Sequence, residues 1–195
     1  MAEFKPYGTD KELDKLVDSE DYEVRMAVVG QGYGLDKLVN DEDYHVRYEV
    51  AKQGYGLDKL VDDEHYWVRL AVANQGYGLD ELINDESANV RMEVAKQSYE
   101  LDKLVNDKHW LVREAVAEQG YSLDKLVNDE ESAVRYVVAK QGYGLDKLVD
   151  DENVVVRCAV KEYLKENKYK NVDEWKKDNP DKTYYKDDKS KGEER

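Results

Sequence analysis

An arginine returns every 22 residues, at Arg25, Arg47, Arg69, Arg91, Arg113, Arg135 and Arg157, with no insertion or deletion in the series. A period this strict restricts the chain to folds in which one small unit stacks on copies of itself, because 22 residues cannot bury their own apolar face. Within the second copy Leu35, Leu38 and Val39 recur later as Leu57, Leu60, Val61 and as Leu79, Leu82, Ile83, the i, i+3, i+4 spacing of one helical face. Asn40-Asp41-Glu42 breaks that helix, with Asp41 expected as the N-cap of a second one and acid in its first turn, where the helix dipole favours it. The second helix turns Val46, Val50 and Ala51 inward, and the column Ala51, Ala73, Ala95, Ala117, Ala139 lets adjacent layers approach closely.

The sequence therefore predicts an all-α fold, an α-solenoid of seven two-helix repeats over residues 8–161. Residues 1–7, with Phe4, Pro6 and Tyr7, are expected to cap its start. Residues 162–195 are expected to supply a C-terminal capping helix around Tyr163 and Leu164, then a charged tail. In that tail only Val172 and Trp175 suggest a short docking helix, and its end is expected to be mobile.

The link between repeats, GQGYGLDK at Gly30–Lys37, has the glycines and lysine of a phosphate cradle. It recurs as KQGYGLDK, NQGYGLDE, KQSYELDK, EQGYSLDK and KQGYGLDK, and the fourth copy places Ser98 and Glu100 where glycines stand, with a carboxylate facing any incoming anion. No copy follows a β-branched strand. The phrase is thus a turn, in which Gly32, Gly54 and Gly76 supply the left-handed residue that ends a helix.

Charge narrows the function classes. Thirty basic and 45 acidic residues give −15, and the segment before Glu162 carries all of it. So acidic a body repels phosphate backbones and anionic lipid, which argues against direct nucleic-acid or membrane binding and for a protein partner with a basic surface. Cys158, the single cysteine, excludes an internal disulfide and cysteine-cluster metal sites. His45, His65 and His109 show no metal-ligand spacing, no serine has a nucleophile-elbow setting, and no cofactor is implied. The start MAEFKPYGTD lacks a signal-peptide core and no apolar run approaches a membrane span, so a cytoplasmic monomer is expected.

The unit LDKLVDDEHYWVRLAVANQGYG, Leu57–Gly78, resembles the leucine-rich repeat variant and is similar, more distantly, to HEAT-like helical repeats. The resemblance implies a short or 3₁₀ helix followed by an α-helix in each copy, wound into a right-handed solenoid. QGYG stands where the familiar repeat has a proline-bearing loop, and the cysteine cluster of some members is absent. No activity follows from the resemblance.

Comparing the copies separates fixed columns from free ones. The seven arginines and the aspartates Asp14, Asp36, Asp58, Asp80, Asp102, Asp124 and Asp146 are the fixed polar columns, and arginine's planar fork suits it to pair with aspartates of its own or the adjacent layer and pin the register. Copies near an end, such as Arg25, are expected to matter less. The free columns on the second helix hold Tyr22, Tyr44, Tyr48, Tyr66, Trp67, Leu70, Trp110 and Tyr136, expected on an exposed stripe that binds a partner protein. A second expectation, from the acidity alone, is a nucleic-acid mimic that fills the basic cleft of an enzyme.

Overall fold

The computed structural model describes residues 10–184, and the chain divides into two compact units, Met1–Tyr99 and Glu100–Arg195. Phe4, Pro6 and Tyr7 of the expected N-terminal cap, and the end of the tail from residue 185, lie outside the described residues. All regular structure among the described residues is helical, in a paired-helix pattern that repeats every 22 residues. The protein is an all-α, solenoid-like repeat protein.

In the first unit the order is α1 (Asp10–Leu16), α2 (Tyr22–Val29), α3 (Leu35–Leu38), α4 (Tyr44–Lys52), α5 (Leu57–Leu60), α6 (Tyr66–Asn74), α7 (Leu79–Leu82) and α8 (Ala88–Lys96). Four-residue helices such as α3 cannot persist alone, because nucleating a turn fixes several residues for one hydrogen bond. Each is held by its neighbours: α3 packs on α2 and α4, and α5 on α4 and α6. The long helices α2, α4, α6 and α8 pack side by side in succession. Their inner faces form the core, where Val46, Val50, Ala51, Val68, Val72, Ala73, Val90, Val94 and Ala95 are fully buried and Leu38, Leu60 and Leu82 close it from the short helices.

The turn between layers takes two left-handed residues, such as Gly54 (φ 73°) and Gly56 (φ 62°). The second is also an approach point: a Cβ on Gly56 would lie 2.5 Å from Val39 Cγ2, whereas Gly76 has nothing within 4 Å. Where the sequence departs from glycine the backbone does not: Ser98, Glu100 and Ser122 keep φ at 58°, 40° and 50°.

The second unit runs α9 (Leu101–Leu104), α10 (Trp110–Glu118), α11 (Leu123–Leu126), α12 (Ser132–Lys140), α13 (Leu145–Leu148), α14 (Val154–Glu166) and α15 (Val172–Asp178). Here α10, α12 and α14 pack in succession, with Val112, Val116, Val134, Val138, Val156 and Val160 fully buried. The last long helix runs on to bring Leu164 into the core and Tyr163 against Gly142. Next α15 packs on α13 with Trp175 fully buried, and the chain returns so that the Gly144 N–H donates to the Lys182 carbonyl (2.7 Å) and the Tyr184 N–H to Asp146 (2.9 Å). No helix of the described residues is long and apolar enough to cross a membrane.

Candidate protein-binding face

Two surfaces carry the polar and aromatic columns. The first is the loop edge. Arg25 donates from Nε and Nη2 to the two carboxylate oxygens of Asp41 (2.6 and 2.8 Å), and from Nη1 to the Ser19 carbonyl (2.7 Å). The same fork joins Arg47 to Asp63, Arg69 to Asp85, Arg113 to Asp129 and Arg135 to Asp151, always sixteen residues forward into the next layer. These five arginines are 7–8% exposed. The aspartate hydrogen bond, opposed by burial and aided by nearby carboxylate charge, raises their pKa values further, so they stay charged at every accessible pH. Arg91 makes the same bonds to the carbonyls of Asp85 and Glu86 (2.6 and 3.1 Å).

Three expectations change at this edge. The partner column is Asp41, Asp63, Asp85, Asp129 and Asp151 rather than the Leu-Asp column, of which Asp36, Asp58, Asp80, Asp102 and Asp124 are exposed. Asp41 is not the N-cap. The cap is Asp43, which accepts from the His45 N–H (2.8 Å), while Asp41 accepts from the Asp43 N–H (2.9 Å) in an Asx turn that aims its carboxylate at Arg25. Arg25 carries the complete fork, and the copy that differs is Arg157. Because aspartate fills the forks of these five, this edge offers no free stripe for a phosphate. The open cleft of about 370 Å³ beside Arg69 is walled by Asp62, Asp63, Glu64 and Glu81.

The second surface is the outer face of the long helices. In the first unit it carries a continuous row of rings. Tyr22 stacks on His45 (centroids 5.2 Å), His45 on Tyr44 (3.9 Å), Tyr44 on His65 (3.6 Å) and His65 on Tyr66 (5.4 Å). Tyr66 leads to Trp67 (5.6 Å), which meets the Tyr48 ring edge-on (6.0 Å). Trp67 is 44% exposed, whereas Tyr22, Tyr44, Tyr48, Tyr66 and Leu70 are half-buried. The stripe is thus partly covered rather than exposed, with Tyr22, Tyr44 and Tyr48 each leaning on a ring of the next layer. In the second unit Trp110 stacks on His109 (6.0 Å) and Tyr136 is half-buried, with no ring contact joining the two among the described residues.

Acid surrounds the row. The first unit holds 22 acidic and 11 basic residues, a net −11 of the chain's −15. Asp43 lies beside His45, its Oδ1 2.9 Å from Nδ1. Burial pushes the Asp43 carboxyl up, but the His45 N–H and ring outweigh it and hold it below its usual range. Lys52 places Nζ 5.2 Å from the Tyr48 ring centroid and 2.8 Å from Glu49 Oε1. His65 stands in the N-cap column without capping its helix, and its Nδ1 is buried without a hydrogen-bond partner. His45 and His65, which show no metal-ligand spacing in the sequence, are links in the row. The signal for them was positional, since each neighbours a tyrosine at the start of a long helix.

No protein-family model matches the chain, and no curated protein matches it.

Proposed function

We propose that the protein is a non-enzymatic interaction module that holds a partner protein along the ring-bearing face of the first unit. The observation that carries this reading is the row of seven touching rings across three successive layers. Aromatic side chains give large contact area for little lost rotamer freedom, and they dominate interface energetics. The partner is basic. A lysine or arginine arriving at this face would meet rings beside carboxylates, the environment that Lys52 occupies between Tyr48 and Glu49. In this reading the protein is a cytoplasmic monomer of the leucine-rich repeat variant kind, without a cofactor and without direct contact to nucleic acid or membrane. Pull-down from the native cell tests it: replacing Tyr44, Tyr48, Tyr66 and Trp67 by Ala abolishes partner recovery, and unchanged recovery removes the row from the argument.

A second reading has its own support. The side chains of Glu42, Glu64 and Glu86 are 91%, 86% and 86% exposed at 22-residue steps along the first unit. Spaced charge of this kind suits a nucleic-acid mimic that occupies the basic cleft of an enzyme. Salt separates the readings, since a mimic's affinity falls steeply with ionic strength while an aromatic interface holds.

A further inference from the structure

Arg157 closes the arginine series with its fork half filled. Its Nη1 donates to the carbonyls of Asp151 (2.5 Å) and Glu152 (2.9 Å), as Arg135 does to those of Asp129 and Glu130, so the guanidinium is held in the orientation of its siblings. In those siblings the other edge, Nε and Nη2, receives both oxygens of an aspartate sixteen residues on. Among the described residues no carboxylate meets that edge of Arg157. Asp173 keeps the sixteen-residue spacing, but it lies in α15, which packs on α13, and no bond joins it to Arg157.

The surface beside the fork is apolar and bare. Val154 and Val155, in the first turn of α14, are 59% and 53% exposed, while Ser132 and Ala133, one layer earlier in the same columns, are half-buried. The C-terminal cap explains the difference: α15 covers α13, and Tyr163 and Leu164 close the far end of α14, which leaves the near end open.

We propose that this open end of α14 docks a segment of another protein that begins with an aspartate in an Asx turn and continues as a helix. Asp151 and α14 present that arrangement to Arg135, and Asp129 and α12 present it to Arg113. The occupant therefore follows from the five filled copies: a carboxylate that accepts two parallel N–H bonds and leads into a helix that covers Val154 and Val155. A second copy stacked end to end does not fit. Its first layer offers Ser19 where the others offer aspartate, and a single hydroxyl cannot accept the two-pronged bond. This docking does not depend on the ring row of the first unit.

The test uses the full chain and a fluorescent peptide copying residues 127–141, cross-linked to hold its helix, because that segment carries Asp129 and its Asx turn. Anisotropy is expected to show binding, with an Asp129→Asn peptide at least about tenfold weaker because it loses the charge-assisted pair. Arg157→Ala and Arg157→Lys chains are expected to lose the same preference for aspartate. Equal binding of the two peptides, undiminished binding to Arg157→Ala, or no binding up to millimolar peptide overturns the proposal. The peptide pair is compared on the unaltered chain, so a misfolded variant cannot imitate the result.

Discussion

The loop edge of each repeat and the outer face of its long helix lie within a few residues of each other in the chain, yet they vary in opposite ways. The edge carries arginine in every copy and aspartate sixteen residues on, while the face changes from Tyr44 and Tyr48 to Ala88 and Met92 to Ser132 and Tyr136. At the edge the side chains of Arg25, Arg47, Arg69, Arg113 and Arg135 are consumed by bonds to the next layer, so a change in one of these layers leaves a buried charge in the next. On the face these side chains are half-buried and differ in type from layer to layer. Invariance within the chain therefore marks architecture, and freedom marks the surface that can be adapted to a partner.

The sharpest way to break this contrast is at the edge. Arg69→Ala strands Asp85, whose side chain is 4% exposed, and is expected to cost about 3–5 kcal/mol. Arg157→Ala strands no carboxylate and is expected to cost about 1 kcal/mol, the value of its carbonyl hydrogen bonds. Denaturant midpoints with an unchanged slope measure both, and equal losses would mean that the forward aspartate does not pin the layers.

A smaller effect separates the two glycines of the turn. Gly76→Ala is expected to cost about 1–2 kcal/mol for its left-handed backbone alone. Gly56→Ala adds the clash with Val39 Cγ2, about 1–3 kcal/mol more. Thermal unfolding of the two variants ranks them, and the reverse order would show that the layers give way at this contact.

The smallest effect is on pH dependence. Burial pushes the Asp151 carboxyl up, but the Arg135 hydrogen bond, the Asn153 N–H and the Arg135 charge outweigh it and leave it below the usual range. A carboxyl depressed on folding contributes stability that is full above its unfolded pKa of about 3.9 and is lost as pH falls through the folded value. Asp151→Asn should therefore be destabilised at neutral pH and should lose less than the parent between about pH 5 and pH 2. Parallel acid limbs would show that this pair contributes nothing to acid unfolding.

Much of the fold was legible because seven copies test one another: the column of Val28, Val50, Val72, Val94, Val116, Val138 and Val160 is fully buried throughout, although constancy alone does not mean burial, since the equally constant Leu35, Leu57 and Leu79 are half-buried. The partner of the arginines was harder to read. Two aspartate columns recur, and only the Asx turn at Asp41, which depends on backbone direction, decides between them. One clue was present. Ser19 is the sole member of its column without an arginine sixteen residues before it, since position 3 holds Glu. The ring row was half legible: its tyrosines stood out in the free columns, but the histidines join it only because adjacent long helices lie side by side.

The forward reach of the arginines has a consequence for how such a chain forms. Within each unit the bonds between repeats span 16 to 23 residues, as from Arg47 to Asp63 and from Gln75 to the Lys52 carbonyl. Contacts this local place the protein among chains of low contact order, which close small loops and fold quickly, layer upon layer. Each finished layer offers the guanidinium that fixes the next, so a 22-residue duplication in phase inserts a layer whose bonds are satisfied on both sides, whereas an insertion that is not a whole number of 22-residue units puts the arginine series out of phase where it falls.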